Sequence, residues 1–107
     1  PTHFSVALKY EQDGERAPVV IAKGADELAF HIRKIAGAHG VPIVESPMLA
    51  RAIFHTTEAD EEIPDKLFMA VAQVLAYVFQ LKAFKAGKGK RPVPLAKDLD
   101  IPEDMQY

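Results

Sequence analysis

Residues 4–10 alternate strictly, with Phe4, Val6, Leu8 and Tyr10 on one side and Ser5, Ala7 and Lys9 on the other. A period of two marks a strand with one buried face. The polar stretch 11–17 holds a DG turn signal, and Pro18-Val19-Val20-Ile21-Ala22 follows, apolar on both faces. It is predicted as a central strand, paired with the first in an antiparallel hairpin. From Lys23 to Gly40 the period becomes helical. Asp26 and Glu27 suit a positive N-terminal end, Gly40 suits the stop, and Leu28, Ile32, Ile35, Ala36 and His39 share one face. Phe30 falls on the opposite side, beside Arg33 and Lys34. Residues 41–45, VPIVE, read as a short buried strand completing a right-handed β-α-β unit.

Ser46 and Pro47 open a further helix to about Thr57, as N-cap and first helical residue. After the acidic loop EADEE, Pro64 starts the longest helix, which reaches about residue 84. Its main stripe is Leu67, Val71, Val74, Val78 and Leu81, and a second apolar edge, Phe68, Ala72, Leu75 and Phe79, lies about 100° round the axis. One stripe docks a helix on a sheet; two imply that part of this helix meets something else. From Lys85 glycines and prolines enter and the sustained pattern ends. Residues 85–107 are expected as a flexible tail, with too few apolar groups to offset the entropy of ordering it, so that deleting it barely moves the melting midpoint. The chain thus divides into a domain, 1–84, and that tail. The fold class is α/β: a small mixed sheet of three strands surrounded by about three helices. With a strand beginning at the chain's first residues, the sheet looks one element short.

Composition removes several functions. The 107 residues include no cysteine, hence no disulfide framework and no thiolate metal site, and the net charge of −2 gives no global reason to expect nucleic acid. Gln73 and Gln80 interrupt the most apolar stretch, so no membrane span is expected, nor is a signal peptide, and the class is a soluble, cytosol-type domain. His3, His31, His39 and His55 lack metal-ligand spacing. Of the two serines, Ser5 alternates within a strand and Ser46 caps a helix, so neither reads as a nucleophile. The AKGADE turn offers a phosphate site on a single glycine, and a tight strand-to-helix joint accounts for it. Lys82, Lys85, Lys88, Lys90 and Arg91 form a basic run suited to anionic lipid or RNA, but Asp98, Asp100, Glu103 and Asp104 follow and offset it. That reads as a solvated polyampholyte. No cofactor is expected.

The first residues carry chemistry. An asparagine before a proline can attack its own main-chain carbonyl through the side-chain nitrogen, leaving a succinimide upstream and a new N-terminal proline. The competing route, attack by the next residue's N–H nitrogen, is closed because proline has none. A chain beginning Pro1-Thr2-His3 is what such a break would leave. PTHFSVALKY, APVVIAKGADELAFHIRKIAGAHGVPIVESPMLARAIF, EEIP and VAQVLAYVFQL resemble the cytoplasmic domain of the FlhB/YscU/SpaS family, the type III secretion substrate-specificity switch proteins. The match runs over about residues 1–84, and the tail, with GKGKRP and IPEDM, looks like the flagellar branch.

The resemblance implies an inner-membrane parent that cleaves itself within an NPTH motif, of which Pro1, Thr2 and His3 match the downstream part. It also implies an upstream fragment that stays bound and supplies the missing strand. The implied role is switching export from rod and hook proteins to filament proteins, at the cytoplasmic side of the membrane. The implied partners are the export substrates, a hook-length ruler protein and other export-gate proteins, without nucleic acid. Family members are thought to recognise a short hydrophobic segment of early substrates at a patch that Ala17, Pro18, Ala72 and Leu75 match. The alternative is a small α/β RNA- or nucleotide-binding domain, since KGADE and HGVPIVE also look like pieces of ribosomal-type folds; salt-dependent RNA binding separates the two.

Overall fold

In the computed structural model, which describes residues 3–11, 14, 16–95 and 99–106, two strands and three helices form an α/β domain. Strand β1 (Phe4–Lys9) pairs antiparallel with β2 (Val19–Ala25), from Phe4 opposite Ala25 to Ala7 opposite Ala22. The register then shifts, so that Leu8 faces Val20 and Ile21 is the extra residue of a β-bulge. A bulged residue leaves the ladder, and Ile21 is accordingly exposed despite its apolar side chain.

Strand β2 is central, as the sequence predicts, but its second neighbour comes from the acidic loop. Asp60 N–H donates to the Val20 carbonyl (2.7 Å), Val20 N–H to that of Glu61 (2.9 Å), and Ile63 N–H to that of Pro18 (3.0 Å). The predicted strand 41–45 does not form: no described residue pairs with it, and Val41 and Ile43 are 53% and 46% exposed. A strand exists through a ladder partner, and in the described chain Val41 N–H instead donates to the Ala36 carbonyl (2.9 Å) at the end of α1. The β-α-β crossover is therefore absent, and the sheet has two strands rather than three.

Helix α1 (Glu27–Ala38) covers one face of the sheet. Ser5 Oγ donates to the Ala29 carbonyl at 2.9 Å, and a Cβ on Gly24 would lie 2.5 Å from Leu28 Cγ, so the helix approaches where only glycine fits. The docked face is Ala29 with half-buried Ile32 and Ala36. The predicted buried stripe differs: Leu28 rests on Gly24 with half its surface in water, and Ile35 is exposed because the two-stranded sheet does not extend under it.

The other face meets α2 (Pro47–Thr56) and α3 (Phe68–Lys85), the latter led by a 3-10 turn at Asp65–Leu67. The Phe4 ring lies 4.8 Å from Phe54, and Val6 and Leu8 pack on a core of Val20, Leu49, Ala52, Ile53, Leu67 and Val71. The main stripe of α3 is thus buried in its first turns and half-buried at Val74, Val78 and Leu81.

The far end of the expected tail also differs from its reading. Ile101 and Met105 are buried in the core, a 3-10 turn at Glu103–Met105 holds them, and Lys66 Nζ pairs with Asp104 Oδ2 at 3.1 Å. Ile101 and Met105, set among prolines and acids, show no period, and with half-buried Leu99 they seat the segment on the core.

Candidate functional site

Of the N-terminal motif, Pro1 and Thr2 lie outside the described residues, and His3 stands at the head of β1. Asp26 holds its backbone at both ends: Asp26 N–H donates to the His3 carbonyl (2.8 Å), and His3 N–H donates to Asp26 Oδ1 (3.2 Å). Asp26 makes the joint from β2 to α1 with φ of 49°, a left-handed conformation unusual for a non-glycine residue. Its carboxylate lies at the start of α1, so the AKGADE turn is a closed joint with an anion already in place. One turn further on, the Phe30 ring sits 5.1 Å from the His3 imidazole. Neither Asp26 nor Phe30 stood out as a partner of the motif. The available signal was their spacing of four at the head of one helix, which puts both on one side.

The second region joins the entry of β2 to α3. Ile63 N–H on the Pro18 carbonyl fixes that entry four residues before Leu67, and the Tyr10 ring lies 6.4 Å from Phe79. The four sequence-predicted residues are unequally placed: Pro18 is buried, Ala17 and Leu75 half-buried, Ala72 exposed. Leu75 also packs against the core. Ala17 lines a groove of about 300 Å³ with Val19 and Ile21, bordered by Lys9, Arg16 and Asp60, and strand alternation turns Pro18 the other way.

Among the described residues no group of three or more His, Asp or Glu is placed to hold a metal ion. The segment Asp65–Lys85 is long and apolar enough to cross a membrane by length and composition, Gln73 and Gln80 notwithstanding. Leu67, Ala70 and Val71 from this segment close the core.

A sequence model of the FlhB HrpN YscU SpaS family matches residues 1–78. The chain is 46% identical over 107 residues to flagellar biosynthetic protein FlhB of Salmonella typhimurium, covering all of this chain and 28% of that protein. It is 46% identical over 82 residues to FlhB of Bacillus subtilis, covering 77% of this chain and 23% of that one. The crystal structure of the cytoplasmic domain of FlhB from Shewanella putrefaciens matches with a TM-score of 0.93 at 51% identity, covering 98% of this chain and 81% of that chain. The PscU C-terminal domain matches with a TM-score of 0.70 at 35% identity, covering 73% of this chain and 99% of that chain. The chain spans about a quarter of the length of these FlhB relatives.

Proposed function

The chain belongs to the FlhB, HrpN, YscU and SpaS family, and on that premise we propose that it is the substrate-docking and specificity-switching domain of a flagellar type III export apparatus. It acts at the cytoplasmic side of the inner membrane, beside other export-gate proteins, and switches export from rod and hook subunits to filament subunits on contact with a hook-length ruler protein. Before this, the parent protein cleaves itself once at an Asn-Pro bond just upstream of Pro1, and the upstream fragment remains in the sheet.

The observation that carries the docking reading is an open Ala72 beside a half-buried Leu75, on the α3 flank where Tyr10 meets Phe79. Ala72 leaves room there for a partner's side chain, with half-buried Leu75 one turn on along the same edge of α3. A short hydrophobic peptide segment fits such a surface by burying its own apolar groups, at about 25 cal/mol per Å² removed from water.

Ala72→Asp tests it. A charge on an exposed helical position costs little, so stability should stay within about 1 kcal/mol of the parent. Binding and export of rod and hook subunits should fall, because peptide docking would bury the carboxylate unpaired. Unchanged export would remove the patch from substrate recognition, and unfolding would place Ala72 in the core.

A further inference from the structure

The charges of this chain are segregated. Between Lys66 and Lys97 stand seven of its 13 basic residues and none of its 15 acidic ones, so that this segment carries +7 and the remainder −9. Along the sequence, Asp100, Glu103 and Asp104 follow the basic run closely enough to offset it. The fold separates them. The segment bearing these acids docks toward the opposite end of α3, where Asp100 N–H meets Gln73 Oε1 at 3.4 Å and Asp104 pairs with Lys66 at 3.1 Å. Asp98 lies outside the described residues. Lys82 and Lys85 stand on the last turns of α3, and the rise from Lys66 to Lys85 is about 28 Å. That is over three times the Debye length of about 8 Å at physiological salt, so the acids paired near Lys66 do not neutralise this end.

The basic residues are also gathered rather than strung out. Gly87, at φ of 76°, takes the left-handed position that stops the helix, with Gly87 N–H on the Phe84 carbonyl (3.0 Å) and Lys88 N–H on that of Ala83 (2.8 Å). The turn brings Gly89 back toward Ala83, so Lys88 and its neighbours start beside Lys82 and Lys85. Among the described residues, none of Lys82, Lys85, Lys88, Lys90 and Arg91 joins an ion pair. Two apolar side chains are exposed beside them: Phe84, and Val93 at 81%.

We propose that this end of the molecule, Lys82, Phe84, Lys85, Lys88, Lys90 and Arg91, docks on anionic lipid headgroups and seats the domain on a membrane surface with its acidic bulk turned away. Cations beside exposed apolar groups suit the headgroup boundary, where charge meets phosphate and Phe84 and Val93 reach toward the acyl chains. Single-stranded RNA fits less well. It favours a track with several stacking aromatics, and the tip offers Phe84 alone, backed by a remainder of −9 that repels a polyanion reaching past it. The surface is distinct from Ala72, so a negative result leaves the substrate-docking reading standing.

The test is co-sedimentation of this chain with phosphatidylcholine vesicles, with and without about one-third phosphatidylglycerol, at low and high salt. Binding is expected only with phosphatidylglycerol and is lost as NaCl rises from about 50 to about 300 mM. Lys88→Glu with Lys90→Glu, both beyond the helix, should lower partition at least twentyfold, given about fivefold per basic residue at the surface. Phe84→Ser should weaken vesicle binding and leave heparin binding unchanged, whereas Lys34→Glu on α1 should change neither. Circular dichroism verifies that each variant is folded. The proposal is overturned if phosphatidylglycerol gives no partition at low salt, or if Lys34→Glu loses as much as the double variant. Tighter binding to single-stranded RNA than to vesicles, or no effect of Phe84→Ser on vesicle binding, would equally overturn it by making the tip a general polyanion site.

Discussion

At Gly24 the backbone of β2 and the side chain of Leu28 leave no room between them: an added Cβ would meet Leu28 Cγ at 2.5 Å and Leu28 Cβ at 2.9 Å. Because Leu28 Cβ cannot swing away with a rotamer change, Gly24→Ala should cost about 1–3 kcal/mol in urea denaturation, the range for overpacking. A loss below about 0.5 kcal/mol would mean that α1 slides instead. Two residues along, Asp26 makes a different demand. Its φ of 49° favours glycine, while its carboxylate accepts the His3 N–H. Asp26→Gly therefore separates conformation from chemistry. It should retain the fold and the backbone bond to the His3 carbonyl, yet slow self-cleavage of the protein expressed with its native upstream residues, because the His3 N–H loses its carboxylate acceptor. Replacing the asparagine before Pro1 with alanine should leave one uncut chain; cleavage persisting there would exclude the side-chain amide mechanism. The alternation of β1 was legible because each of its residues follows one rule. The His3 anchor was not, since it depends on a contact across 23 positions and on an unusual φ at Asp26.

Elements announced themselves where a local signal and a tertiary partner agreed. Ser46-Pro47 starts α2, and the run from Leu67 carries α3, as read from the sequence. Where the partner lies elsewhere, the reading failed in a systematic way. VPIVE has the composition of a strand and no ladder partner in the described chain, while the acidic 60–63 has a poor strand composition and three backbone hydrogen bonds to Pro18 and Val20. Backbone pairing does not depend on side-chain polarity, so the edge position took whichever segment the connection from α2 delivered. The C-terminal segment shows the same asymmetry. Ile101 and Met105 are buried against α3 although nothing periodic surrounds them. Ile101→Ala should therefore cost about 2–4 kcal/mol, within the range for truncating a buried Ile or Met to Ala. For a domain of this size that is roughly 10–20 °C in Tm, readable by calorimetry. A shift of only a degree or two would restore the reading of 85–107 as a tail independent of the fold.

At the scale of the molecule, the two faces of the sheet are unequally finished. One side is closed by α2, α3 and the returning C-terminal segment, and the other has α1 alone, with Leu28, Ile35, Val41 and Ile43 in water. Among the described residues β1 pairs on one edge only, and residues 41–45 join no strand ladder. These features have one physical remedy. A strand added along the free edge of β1 would satisfy its unpaired backbone groups and give 41–45 something to pair with. The family's upstream fragment is the proposed source, so the chain expressed with its native upstream residues should differ from this chain alone in a specific place. Amide hydrogen exchange should slow by orders of magnitude at those of Ile43, Val44 and Glu45 whose N–H faces the added strand, while Pro42 has no amide and Val41 N–H is already donated to the Ala36 carbonyl at 2.9 Å. Protection at 60–63 should change little, because those hydrogen bonds to β2 are already made. Self-cleavage should leave the protection at 41–45 in place, since breaking one bond between the strands removes no ladder hydrogen bond. If the amides of Ile43, Val44 and Glu45 all exchange equally fast with and without the upstream residues, the fragment sits elsewhere and the open edge of β1 is a surface for another partner.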